Sequence, residues 1–205
     1  DILHALSRVA HEYADLIEDR FPKMNRFLTG YDLAHLLNEK GEIDPRAVLC
    51  GSEGTLALLT EAKVNLVPIP KVSQQINIFY DDFQAGLTEA RLLAGLGAAA
   101  VETIDSRVLS LAQADPIWEQ VAQFFPDHGA KGVNLVEFTG DDEAQIAAHV
   151  DAALSRLRES PSMRRGYTLA HGTDVARITE MRKKAVGLLG RTAGARRPVP
   201  FVEED

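Results

Sequence analysis

VSQQINIFYDDFQAGLTEARLLAGLGAAAVETID, residues 72–105, decides the fold. Its texture is strand over 72–80, helix over 83–96 and strand over 98–104, and the alternation continues downstream. Asp105 to Ala114 reads as a short helix and Gly132 to Phe138 as a strand. Asp141 and Asp142 then open a helix whose Ile146, Val150, Ala153, Leu154 and Leu157 share one side, with the acids where a helix N-terminus favours negative charge. A strand at Arg165 to His171 and a helix from Thr173 to Leu189 complete the order β-α-β-α-β-α-β-α. That order implies an α+β fold, a sheet covered by helices on one face.

Upstream the chain reads differently. Leu3, Leu6, Val9, Ala10, Tyr13, Leu16 and Ile17 recur at helical spacing up to Phe21-Pro22, which makes one amphipathic helix. A turn at Thr29-Gly30 leads into a short apolar helix ending near Leu37, 38–46 reads as loop, and 55–67 is apolar enough for one strand or a tight pair. Pro68 and Pro70 close this part. The expected modules are therefore 1–70 and 71–205.

The composition, 45% hydrophobic and 25% charged over 205 residues, is that of an ordinary globular protein rather than a disordered chain. Cys50 is the single cysteine, which excludes an internal disulfide and fits a reducing compartment. No apolar run approaches the ~20 residues that a membrane span requires. A cytoplasmic location, at most peripheral to a membrane, is expected. The chain opens at Asp1-Ile2-Leu3 without methionine and stops at Glu203-Glu204-Asp205 without a closing helix, so it reads as an internal piece of something larger. The net charge of -8 is uneven: residues 164–197 carry nine Lys and Arg against two acids. A local basic segment fits a solvated face, an anion-ligand site, or a non-catalytic module that binds nucleic acid or another polyanion.

Two features carry candidate chemistry. Gly51, Ser52, Glu53, Gly54 and Thr55 offer backbone N–H groups free of large side chains, plus two hydroxyls, and both suit an anion such as phosphate. There is no GxxxxGK[ST] and no GxGxxG, and from spacing alone a plain tight turn between loop and strand is the better reading. Arg182 stands among Val175, Ile178, Val186 and Leu189 at helical spacing, so its guanidinium emerges from the apolar stripe. A cation there requires an anion, either an internal carboxylate or a ligand's carboxylate or phosphate, unless its stem carries the charge out to the surface. The six histidines show no HExxH spacing and one cysteine cannot build a zinc site, so no metal site is expected. No GxSxG elbow or Ser/His/Asp order is present. Trp118 with Phe124-Phe125 reads as core.

Several segments together resemble a known family. Thr29-Gly30-Tyr31-Asp32-Leu33, Gly51-Ser52-Glu53-Gly54-Thr55-Leu56 with Thr60-Glu61-Ala62, and the Pro68/Pro70 boundary resemble the end of the FAD-binding domain in FAD-linked oxidases, the D-lactate, glycolate and D-2-hydroxyglutarate dehydrogenase group. Met181-Arg182-Lys183-Lys184-Ala185-Val186-Gly187-Leu188-Leu189-Gly190 and Arg197-Pro198-Val199-Pro200-Phe201-Val202-Glu203 resemble the large bacterial members that carry FAD and an iron-sulfur region.

The resemblance implies that 1–70 is the C-terminal part of an FAD-binding domain. It also implies that 71–205 is a ferredoxin-like antiparallel cap or substrate domain, incomplete at its C-terminus. Such proteins oxidise a D-2-hydroxy acid: a base takes the hydroxyl proton, hydride passes to the flavin, and an external electron acceptor reoxidises it. By resemblance Ser52, Glu53, Gly54 and Thr55 line FAD. Arg182 holds the substrate carboxylate, and the second anchor is Arg197 or, as the alternative, Arg196. The family's hydroxyl contact falls at Val186, where this chain has none. The catalytic base, a divalent metal and an iron-sulfur cluster are expected beyond residue 205. The chain alone is expected neither to hold FAD tightly nor to turn over, and nucleic acid is not an expected partner.

Overall fold

The computed structural model describes residues 2–22, 30–126, 129–159 and 164–189. It divides into two compact units, one built on residues up to Leu66 and one from Val67 onward.

In the first unit the single expected N-terminal helix is two, α1 (Ile2–Glu12) and α2 (Ala14–Arg20), interrupted at Tyr13. The expected helix before Leu37 is absent from 30–37. Instead a short helix, α3 (Pro45–Cys50), begins at the end of the 38–46 stretch expected as loop. Its start is explained locally: the Asp44 side chain accepts from the Arg46 N–H, and Pro45 occupies a first-turn position where its missing N–H costs nothing. Ala10, Leu36 and Val48 make a small core with Leu6, Val9, Leu33 and Ile43 against it. The expected strand over 55–67 does not form. Leu58, Leu59 and Leu66 project into solvent there, and the stretch pairs with no strand among the described residues.

The second unit follows the predicted alternation closely. β1 (Val72–Tyr80), α4 (Phe83–Ala94), β2 (Ala100–Asp105), α5 (Ser106–Gln113), two 3-10 turns (Pro116–Gln120 and Ala122–Phe124), β3 (Gly132–Gly140), α6 (Glu143–Glu159), β4 (Arg164–His171) and α7 (Thr173–Leu189) come in that order. Aspartates mark where strands yield to helices. Asp82 accepts from Ala85 N–H, Asp105 from Val108 N–H and Asp142 from Gln145 N–H, each occupying donors that a helix start leaves unmade.

The sheet is antiparallel throughout, in the order β2-β3-β1-β4, the split βαββαβ arrangement of a ferredoxin-like core. The register sets Ile76 opposite Val136 and Leu169, and Ile104 opposite Val133.

One expectation is corrected: helices cover both faces, not one. Ile76, Ile78, Tyr80, Val136 and Phe138 pack with Leu93 of α4 and with Ile146, Val150, Ala153, Leu154 and Leu157 of α6. On the opposite face Phe79, Ile104, Val133 and Leu135 pack with Leu109 of α5, Phe124-Phe125, and Val175, Ile178, Met181 and Ala185 of α7. Trp118 and Phe125 sit 5.4 Å apart by ring centroid and Phe79 meets Phe125 edge-on, so this aromatic group is core as expected. Each large side chain buried this way contributes about 1.5–3 kcal/mol.

The second covered face is hidden in the sequence by its polar residues. Gln75, Asn77 and Thr168 point into it and satisfy one another: Gln75 Nε2 donates to Asn77 Oδ1 (2.6 Å), Asn77 Nδ2 to Thr168 Oγ1 (3.0 Å), and Thr168 Oγ1 to the Phe124 carbonyl (2.7 Å). A side chain that looks solvated by type is tolerated in a core when its hydrogen bonds are closed.

Candidate functional site

In the first unit the glycine-rich segment is the turn that ends α3, rather than the mouth of a strand. Gly51 packs so closely that a Cβ there would lie 2.4 Å from the Gly30 carbonyl oxygen, so only glycine fits. Glu53 and Gly54 both take positive φ, 48° and 75°, a conformation that costs a non-glycine residue energy. The turn meets the upstream motif directly, because Tyr31 Oη and Thr55 Oγ1 lie 2.9 Å apart. Two segments that the resemblance cites separately are thus one local structure.

Of the four expected cofactor-lining residues, two use their hydroxyls internally. Ser52 Oγ donates to the Leu49 carbonyl (2.9 Å) and Thr55 Oγ1 to the Ser52 carbonyl (2.6 Å). Ser52 is buried, while Glu53, Gly54 and Thr55 are exposed. The N–H groups of Glu53 and Gly54 have no acceptor among the described residues. They are what the turn can offer to an anionic or carbonyl oxygen of a cofactor, and in that respect the segment fits FAD.

In the second unit Arg182 lies on α7 beside Met181, one turn from Ile178 and Ala185. The buried stripe is Val175, Ile178, Met181 and Ala185, and Val186, expected in that stripe, is exposed. Arg182 therefore sits at the margin of the core, its side chain 29% exposed. Its Nη2 donates to Glu102 Oε1 at 2.5 Å. The buried Nε–H finds no acceptor, an omission that typically costs about 1–3 kcal/mol. The anion that the position demanded is thus present as an internal carboxylate, held by one nitrogen rather than by the two-pronged contact that arginine favours. Arg197 and Arg196 lie outside the described residues.

The basic segment does not stand as a bare patch in its described part. Arg164 faces Glu89, Arg165 pairs with Asp81, Arg177 with Asp174, Arg182 with Glu102 and Lys184 with Glu180. Acids from α4, β2 and the β1–α4 turn, together with Asp174 and Glu180 of α7 itself, offset the charge run. No group of three potential metal ligands occurs among the described residues.

One cluster escaped sequence reasoning. Glu89 is buried inside α4's packing face, where Tyr80 Oη donates to its Oε2 (2.6 Å) and Arg164 Nη1 stands 3.8 Å from Oε1. Asn134 Nδ2 donates to Tyr80 Oη and to the Gly86 carbonyl. The available signal was Glu89's spacing, three residues after Gly86 and four before Leu93, both buried on the same stripe.

Residues 69–204 match the family described as "FAD linked oxidases, C-terminal domain". The chain is 44% identical over its whole length to the D-2-hydroxyglutarate dehydrogenase of Pseudomonas putida, covering 21% of that protein. It is 43% identical over 99% of its length to the protein of the same name from Escherichia coli, again covering 21%. A Bacillus subtilis glycolate oxidase subunit, GlcD, is 26% identical over 82% of the chain and is covered to 32%. The chain thus spans about a fifth of the length of the D-2-hydroxyglutarate dehydrogenases that it matches. No described helix is long and apolar enough to cross a membrane.

Proposed function

The chain belongs to the FAD-linked oxidases through their C-terminal domain, and on that premise we propose that it works within a longer flavoprotein that oxidises a D-2-hydroxy acid of the D-2-hydroxyglutarate or D-lactate type. The observation that carries this reading is the state of Arg182. A half-buried guanidinium is gripped through a single nitrogen, and its other donors have no acceptor among the described residues. With Glu102 on Nη2 and the Nε–H buried, Nη1 is the donor left to take a ligand's carboxylate. The match to a protein named D-2-hydroxyglutarate dehydrogenase covers the whole chain, this helix included.

FAD, when bound, supplies the acceptor for the hydride that leaves the substrate's C2. This chain's own part is binding and orientation. Arg182 takes the C1 carboxylate and so holds that end of the substrate in place. Arg197 adds a second positive charge for the substrate. The 52–55 turn lines the cofactor, with the N–H groups of Glu53 and Gly54 as its donors. No residue of this chain is assigned the proton-abstracting role.

The test is kinetic and uses the full-length flavoprotein. Arg182→Ala is expected to lower kcat/KM by about a hundredfold, the scale of a lost charged contact to a carboxylate, with flavin content unchanged. An unchanged kcat/KM, or a loss of activity that only follows loss of flavin, overturns the reading.

A further inference from the structure

The acid that meets Arg182 comes from an unexpected place. Glu102 lies on β2, the edge strand of the sheet, on the side facing α7, with Ile104 two residues along and Leu135 directly opposite on β3. Both neighbours belong to the cluster that holds Ile178, Met181 and Ala185. The carboxylate therefore projects from the rim of a packed layer onto the rim residue of α7, on a rigid base at both ends. Its side chain is 39% exposed.

A pair built for stability would close both prongs of the guanidinium on one carboxylate. This one does not. Glu102 takes Nη2 alone, the Nε–H is buried without an acceptor, and Nη1 has no acceptor among the described residues. Partly exposed ion pairs of this kind contribute little to folding, so the stability value of this contact is small and its geometry is free to serve a ligand.

Resting on the reading of Arg182 as the carboxylate anchor, we propose that Glu102 is a positioning residue: it holds the Arg182 guanidinium from one side so that the remaining edge faces the incoming 2-hydroxy acid carboxylate. Orientation outweighs the repulsion between the two carboxylates. Glu102 stays on the rim, where water screens its charge, whereas an unheld arginine stem would have to be ordered anew for every substrate.

The full-length flavoprotein tests this with a two-residue cycle. Glu102→Gln is expected to raise KM for the D-2-hydroxy acid about tenfold, the effect of one weakened hydrogen bond to a charged group, with kcat within about twofold and flavin content intact. Arg182→Lys sets the baseline, and adding Glu102→Gln to it should raise KM no further, because Glu102 acts through Arg182. If Glu102→Gln loses flavin or fails to fold, Glu102→Asp takes its place, with a raised KM at intact flavin as the supporting result. A KM that is unchanged or lower on replacing Glu102, while Arg182→Lys raises it, overturns the positioning role and leaves the anchor standing. An unchanged KM in Arg182→Lys overturns the anchor itself. A merely structural pair would lower the melting temperature and leave KM alone.

Discussion

Tyr80 shows how a single side chain can tie stability to pH. Burial pushes its hydroxyl well above the ordinary value of 10.0, and the hydrogen bond to Glu89 and that residue's negative charge push it in the same direction. The folded state therefore favours neutral tyrosine. A group whose folded value is raised contributes stability that is fully present below its unfolded value and is lost as pH rises toward the folded one. Stability of the chain should thus fall from about pH 10 upward. Tyr80→Phe removes the donor to a buried carboxylate and should cost about 2–3 kcal/mol at pH 7, while flattening the alkaline decline. Urea denaturation at pH 8 and pH 10.5 checks both; an equally steep alkaline loss in the variant contradicts the assignment.

Among the elements, β1 and α7 are the most instructive. β1 is buried along most of its length on both faces, and its inward Gln75 and Asn77 are part of a closed hydrogen-bond chain that ends on the Phe124 carbonyl. Asn77→Ala strands the Gln75 donor and opens a cavity in a fully buried site, so a loss of about 2–4 kcal/mol is expected. A loss below about 0.5 kcal/mol, the range of neutral surface changes, would show that the chain of bonds contributes little.

Strand and helix order in the second unit was legible because apolar spacing and the aspartate caps at Asp82, Asp105 and Asp142 mark the boundaries. The second helical layer was not legible, because Gln75, Asn77, Glu102 and Glu137 look like a solvated face until α5 and α7 are seen above it. Arg182 was singled out as a cation beside an apolar stripe, and the structure places it at the margin of that stripe with Val186 exposed. Its partner was beyond reach, since nothing local connects position 102 with position 182. The turn at 51–55 was visible as glycine-rich, but its link to Tyr31 and the internal use of both hydroxyls depend on contacts that composition does not encode. The missing strand at 55–67 shows the limit of apolar texture, because a strand requires a partner edge as well as suitable side chains.

At the scale of the molecule, each unit contributes one half of the account: the first presents the 52–55 turn that we propose lines the cofactor, and the second a sheet whose rim carries the Glu102–Arg182 pair. The described arginines of 164–189 are each met by an acid: Arg164 by Glu89, Arg165 by Asp81, Arg177 by Asp174 and Arg182 by Glu102. The central claim is that this chain serves the oxidation of a D-2-hydroxy acid within a flavoprotein. The most direct measurement is anaerobic reduction of the full-length protein by a panel of D-2-hydroxy acids, followed by the loss of oxidised-flavin absorbance. D-2-hydroxyglutarate or D-lactate is predicted to bleach the flavin, with the L-enantiomers and the carboxamide analogues inert at the same concentration. Failure of every D-2-hydroxy acid to bleach it, or equal bleaching by analogues that lack the carboxylate, would contradict the account.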